Sequence, residues 1–261
     1  MQLNIVPART GALWVKLGIQ TFFKQPLALA GLFFMFMALM TVASLVPYAG
    51  FAMAMTLLPA ATLGLMAATR QAEAGRFPMP VMLLVAFRAG RPEARAMLLL
   101  GALYSLGFLT AMGASWLIDG GVFARVYLGG ETLTSEVILA SEFQTAMWVF
   151  ICVHFPLSLL FWHAPALVHW HGMAPVKSLF FSIVACGRNI WAYAVFGLMW
   201  LMVLILAVFG VTAVATLAGS PALATSLLFP VLMIIASMFF TSLYFTFRDS
   251  FSPAPDDKDR L

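Results

Sequence analysis

The chain has 261 residues, 63% of them hydrophobic and 9% charged, with a mean hydropathy of +0.99. Soluble domains carry about a quarter charged residues, so this composition excludes an ordinary soluble domain and points to a membrane protein. The formal charge of +4 has meaning only by position, because Lys and Arg orient membrane spans, and the two cysteines lie in or beside apolar runs and predict neither a disulfide framework nor a zinc site.

Along the chain, residues 11–24 (GALWVKLGIQTFFK) mix Leu13, Trp14, Leu17, Phe22 and Phe23 with Lys16, Gln20 and Lys24. That stretch is too short and too polar to cross a bilayer and predicts a helix lying in the membrane interface. Pro26 then opens the first apolar run at a first-turn position, where its missing N–H costs nothing. No small-x-small cleavage pattern follows that run, so it is expected to be a permanent span and not a signal peptide. A span needs about 20 mostly apolar residues, and six segments qualify: Leu27–Leu45, Phe51–Thr69, Ala96–Leu117, Ala146–Val168, Ile190–Leu217 and Leu223–Phe245. None contains Asp, Glu, Lys or Arg.

Thirteen of the 14 basic residues fall on one side of these spans. Arg9, Lys16 and Lys24 precede the first span, and Arg70, Arg76, Arg88, Arg91 and Arg95 separate the second from the third. Lys177 and Arg188 separate the fourth from the fifth, and Arg248, Lys258 and Arg260 follow the sixth. Arg125 alone lies opposite, with Asp119, Glu131, Glu136 and Glu142. The asymmetry predicts a multi-pass membrane protein with both termini cytoplasmic. The dispersed basic residues match no nucleic-acid-binding pattern, so no nucleic acid is expected as a partner.

A shorter apolar piece, Val81–Arg88, precedes the third span, where Gly90 can stop one helix and Pro92 open the next with Glu93 in its positive first turn. Pro175–Cys186 precedes the fifth, with Gly187 as a stop and Asn189 as an N-cap. The expected fold is therefore an all-α membrane protein. Its six transmembrane helices form three hairpins, each preceded by a cytoplasmic interfacial helix. Residues 1–249 read as a single polytopic domain with pseudo-repeats at about 11–70, 78–172 and 175–248, and 250–261 as a disordered cytoplasmic tail. The long outer loop, Ile118–Gln144, sets the middle unit apart.

The stretches Pro26–Phe34 (PLALAGLFF), Leu57–Arg70 (LLPAATLGLMAATR), Phe87–Arg91 (FRAGR) and Leu179–Asn189 (LFFSIVACGRN) resemble a family of uncharacterised bacterial six-span inner-membrane proteins. That family is related to the membrane domain attached to some glycerophosphodiester phosphodiesterases. The resemblance covers most of residues 1–210. It implies a six-helix architecture and no established reaction, and the catalytic phosphodiesterase domain is not part of the match.

All four histidines lie on or just beyond the fourth span: His154, His163, His169 and His171. On one helix His154 and His163 are about 900° and roughly 13 Å apart, on opposite faces, which argues against a shared metal or haem. Packing and hydrogen bonding are the favoured reading, and both stay candidates because ionisable groups inside a membrane are often functional. Met35, Met37 and Met40 are expected to serve packing or lipid contact, not copper. Ser115 is not expected to pair with His154, since their depths differ. Ala60, Gly64 and Ala68, and Gly107, Ala111 and Ser115, recur every four residues and predict close helix packing. Pro59, Pro156, Pro165 and Pro230 are read as kinks that serve packing, with a gate or cavity as the functional alternative.

No catalytic constellation emerges, so neither an enzyme nor a cofactor or metal site is expected. The favoured reading is a non-enzymatic inner-membrane protein that binds a partner, assists assembly or organises lipid. A transporter or channel for a small or lipidic solute is the alternative, and an intramembrane lipid-modifying enzyme using His154 or His163 is third. The partners expected are the lipid bilayer and anionic phospholipids, with another membrane protein or a homo-oligomer also open. Lys24, Arg88, Arg91, Arg95 and Arg188 are the candidate lipid-headgroup contacts, worth about 1 kcal/mol each.

Overall fold

Inside lipid every backbone polar group must find its partner within the protein, which leaves helices as the natural state for apolar runs of this length. In the computed structural model, which describes residues 2–46 and 49–252, the chain is helical nearly throughout. The helices are α1 (Thr10–Lys24), α2 (Pro26–Ser44), α3 (Gly50–Glu73), α4 (Val85–Arg88), α5 (Arg91–Asp119), α6 (Val122–Tyr127), α7 (Ser135–Leu139), α8 (Ser141–Phe161), α9 (Ala164–His171), α10 (Pro175–Arg188), α11 (Ile190–Leu217) and α12 (Pro221–Ser250). A short 3₁₀ segment, Pro80–Leu84, precedes α4, and two strands, β1 (Gln2–Leu3) and β2 (Phe251–Ser252), pair antiparallel.

Among the described residues, six helical stretches are long and apolar enough to cross a membrane: α2, α3, α5, α8 with α9, α11 and α12. They correspond one to one with the expected spans. Several run on for a turn or more at the ends, so that Arg91, Glu93, Arg95, Arg248 and Asp249 are helical. A hydropathy run marks only the part that suits hydrocarbon, whereas the backbone hydrogen bonds continue into the headgroup layer.

The tail expected from Ser250 onward starts with regular structure. Ser250 closes α12, and Leu3 and Phe251 are register partners in the two-stranded pairing. Phe251 is buried, which gives this short pairing an apolar anchor. The remainder of that expected tail, residues 253–261, lies outside the described residues.

The chain divides into two compact units. The first holds the described residues of 1–38, 60–89 and 184–261. Here α1 packs on α11 and α12. Its buried residues Gly11, Trp14, Val15, Gly18, Thr21 and Phe22 form one helical stripe. Gly11 meets the backbone of Ala192 and Phe196, and a side chain at Gly18 would reach within 2.5 Å of the Ser242 Cβ. The two glycines therefore set how closely α1 approaches its neighbours. Gly64 does the same for the backbone of Leu83. The stripe of Ala60, Gly64 and Ala68 is buried, and at its centre it receives the short 3₁₀ segment.

The second unit holds the described residues of 39–59 and 90–183. Here α5 and α8 pack lengthwise, with Gly107 against Leu157. Gly101 sits on the backbone of Thr56, and the Ser105 hydroxyl donates to the Ala52 carbonyl at 3.2 Å, which joins α3 to α5. An aromatic core of Phe108, Phe123, Phe143 and Phe150 fills the space between α5, α6 and α8. Both Ala111 and Ser115 are buried, as intramolecular packing requires.

Two corners differ in detail from their sequence reading. Gly90 precedes α5 at φ 123° and ψ 166°, a conformation essentially confined to glycine, but it lies outside the left-handed helical well expected of a stop. Helix α10 continues through Gly187 to Arg188. Asn189 occupies the N-cap position of α11, yet its side chain makes no capping bond. It accepts from the Val6 N–H at 2.8 Å and donates to the Asn4 carbonyl at 3.0 Å instead. A long-range partner outcompetes the local one because it satisfies a segment that has no helix of its own.

Candidate functional site

The basic corner falls where one helix ends and the next begins. Arg88 ends α4, Gly90 turns the chain, Arg91 starts α5, and Arg95 follows one turn later. All three guanidinium groups are exposed, and none has an ion pair or side-chain hydrogen bond among the described residues. Glu93 lies between them in sequence but turns to His169, whose Nδ1 is 3.3 Å from its carboxylate. In the first unit, ahead of Arg88 in the chain, the 3₁₀ segment and its approach expose Phe77, Met79 and Leu84. Exposed cations next to exposed large apolar side chains can hold anionic headgroups while the apolar groups enter acyl chains.

The other basic candidates differ from one another. Lys24 donates to the Glu73 carbonyl at 3.4 Å, so it closes the end of α3 as well as facing solvent. Arg188 is exposed at the end of α10.

The two intramembrane histidines stand apart in different surroundings. His154 is half-buried in aromatic rings, stacked on Phe150 at 5.1 Å and edge-on to Phe108 at 5.4 Å and Tyr104 at 6.5 Å. His163 is fully buried at the break between α8 and α9. No group of three or more His, Cys, Asp or Glu residues able to hold a metal occurs among the described residues. Ser115 donates to the Met112 carbonyl at 2.8 Å and belongs to its own helical turn.

The break at His163 is made by a side chain. The Ser182 hydroxyl on α10 donates to the Leu159 carbonyl at 2.7 Å and accepts the His163 N–H at 2.9 Å. Those two backbone groups would otherwise bond to each other, i to i−4, so the hydroxyl is inserted into the ladder. Pro165 takes the second position of α9 just beyond. Pro59, Pro156 and Pro230, by contrast, lie inside continuous helices.

A polar clasp in the first unit had no counterpart in the sequence reading. The Trp14 indole N–H donates to Asp249 at 2.9 Å, and Arg248 bonds Asp249 at 2.8 Å and Glu73 at 2.6 Å. The Asn4 amide donates to the Asp249 carbonyl at 3.2 Å. The Arg248 guanidinium also lies over the Phe245 ring at 4.8 Å. These residues are separated by up to 245 positions, so no local motif could announce them. The one sequence signal was that Glu73 and Asp249 are acidic residues among basic flanks. Nearby, burial pushes the Cys186 thiol up to about 12.

At the other end of the second unit, Asp119, Glu131, Glu136 and Glu142 line a cavity of about 330 Å³ with Val122, Val137, Ala140 and Phe143. Asp119 caps α6 by accepting from the N–H groups of Gly121 at 2.8 Å and Phe123 at 2.6 Å. Arg125 pairs with Glu131 at 3.0 Å.

Six apolar helices and a surface dominated by exposed Leu, Phe and Met side chains define an integral, multi-pass, all-α membrane protein. The chain is 36% identical over 254 residues to a probable inner membrane protein of Burkholderia thailandensis, covering 96% of this chain and 94% of the relative. It belongs to that family of inner-membrane proteins. No protein-family model matches the chain, and no solved structure matches it.

Proposed function

We propose that this protein is a non-enzymatic inner-membrane factor that engages anionic phospholipid through its basic corner and serves partner binding, assembly or lipid organisation. The observation that carries this reading is the set Arg88, Arg91 and Arg95, exposed and unpaired among the described residues, preceded in the chain by exposed Phe77, Met79 and Leu84. In this reading both termini and all three basic corners face the cytoplasm, because 13 of 14 basic residues then share that side. Helices α1, α4 and α10 lie at the interface and introduce three hairpins, and residues 1–249 act as one polytopic domain. The kinship with the membrane domain attached to some glycerophosphodiester phosphodiesterases is part of the same proposal, as a relation between membrane domains without a shared reaction.

The test is co-purification from mild detergent, followed by reconstitution into nanodiscs of phosphatidylcholine with and without phosphatidylglycerol. The wild-type chain retains phosphatidylglycerol, and the Arg88→Ala/Arg91→Ala/Arg95→Ala variant loses about a hundredfold in preference for it, at about 1 kcal/mol per arginine. Equal retention by the two chains overturns the lipid reading. Absence of any stoichiometric protein companion in the same preparation removes the partner reading.

A transporter role is the second reading, favoured by one observation. Helices α8 and α9 are discontinuous at a buried histidine, and discontinuous spans are a recurrent feature of solute sites. Hydrophilic thiol reagents reaching single cysteines at positions 159–163 support it, and complete protection there counts against it.

A further inference from the structure

We propose that the segment Gly120–Leu128 is a re-entrant element embedded in the membrane half bounded by the outer ends of α5 and α8, with lipid acyl chains as its partner. Its sequence reads as an ordinary charged loop. The geometry places it lower than that. Helix α6 folds back against both α5 and α8. At its start, Phe123 packs on Phe143 in the first turn of α8, with ring centroids 5.8 Å apart. At its end, Tyr127 packs on Phe108 at 5.9 Å and on Phe150 at 5.5 Å. Phe108 lies about three turns, or roughly 16 Å, below the end of α5, and Phe150 roughly 13 Å below the start of α8. Two helices thus report similar depths for the Tyr127 ring. A helix of 29 residues such as α5 is about 43 Å long and exceeds the roughly 30 Å hydrocarbon core by only a turn or so at each end. The Tyr127 ring is therefore within that core.

At that depth Tyr127 remains 51% exposed, and the adjoining Leu128 is 52% exposed. Exposed apolar groups at hydrocarbon depth face lipid. The charges are sorted accordingly. Asp119, Glu131, Glu136 and Glu142 gather around one cavity at the helix ends, Asp119 is held by two backbone N–H groups, and Arg125 is neutralised by Glu131. Irregular backbone at membrane depth is tolerated where it is packed against protein, and the burial of Phe123 and Ala124 against α5 and α8 supplies that packing.

The experiment uses the full chain with Cys152→Ser and Cys186→Ala, reconstituted in vesicles of phosphatidylethanolamine and phosphatidylglycerol, with single cysteines replacing Tyr127, Leu128 or Glu136. The vesicles are opened so that both faces meet the reagents. A membrane-impermeant maleimide is expected to label the Glu136 position and to lose labelling at the Tyr127 and Leu128 positions, which a lipid-soluble maleimide reaches. Nitroxides at the same three positions give a second readout. Molecular oxygen should relax the Tyr127 and Leu128 labels more than a water-soluble nickel complex does, with the order reversed at Glu136. Labelling of Tyr127 and Leu128 as fast as Glu136, or nickel access equal at all three, overturns the proposal. The outcome is independent of whether the basic corner binds anionic lipid.

Discussion

Ser182 accepts the backbone N–H of His163 at 2.9 Å and so completes a turn that the span itself leaves open. The same hydroxyl donates to Leu159, four residues before His163. The span bends where a neighbouring helix supplies a hydroxyl, and the prolines alone do not decide the place. Replacing Ser182 with Ala strands a buried N–H, and is expected to destabilise the protein by about 1–3 kcal/mol. Thermal unfolding in detergent checks this. Ser182→Thr keeps the hydroxyl and should lie closer to wild type, and an unchanged melting temperature for Ser182→Ala would show that the ladder closes by itself.

The close approach of α1 to α12 depends on Gly18. A valine there meets the Ser242 backbone and Cβ, which cannot withdraw as a flexible side-chain tip would. Overpacking of this kind costs roughly 1–3 kcal/mol or more. Gly18→Val should lower the yield of monodisperse protein, whereas Gly113→Ala, with open space around its Cβ position, should not. Size-exclusion profiles of the two variants make the comparison.

Trp14 and Asp249 hold the clasp that joins α1 to the end of α12. Trp14→Phe keeps most of the ring and loses the indole donor to a charged acceptor, worth about 1.5–3 kcal/mol. The expected result is a lowered melting temperature with an unchanged helical signal. Trp14→Phe combined with Asp249→Asn should cost less than the sum of the single changes, because the two groups act as a pair.

Cys186 is buried, and its thiol is pushed up to about 12 from the ordinary 9.0. The thiolate is the reactive form. Because the folded-state value is raised, the neutral thiol dominates from neutral pH up to the region of 12. Alkylation of Cys186 in the folded protein should stay slow through pH 7 to 9, climbing with pH without levelling off near 9, and become fast on denaturation. A rate that levels off near pH 9 would contradict the burial.

Orientation is tested by reporters. With cytoplasmic termini, alkaline phosphatase fused after Leu261 is inactive, and the same enzyme inserted after Gly130 is active. The reverse pattern would invert the topology and move Arg88, Arg91 and Arg95 to the other face.

The six spans and their membrane setting were legible from hydropathy alone, because crossing lipid demands length and apolarity before anything else. The corner at Arg88–Arg95 was legible too, since Gly90 and Pro92 restrict the backbone locally. Three features were decided by tertiary structure. Asn189 left its cap for residues 4–6, Ser182 entered the turn at His163, and Trp14 met Asp249, each through partners from 19 to 235 positions away. The descent of Tyr127 toward Phe108 belongs with them. Local chemistry sets which segments become helices and which enter lipid. The buried polar partners and the depth of a folded-back loop depend on where distant segments come to rest, and only packing in three dimensions fixes that.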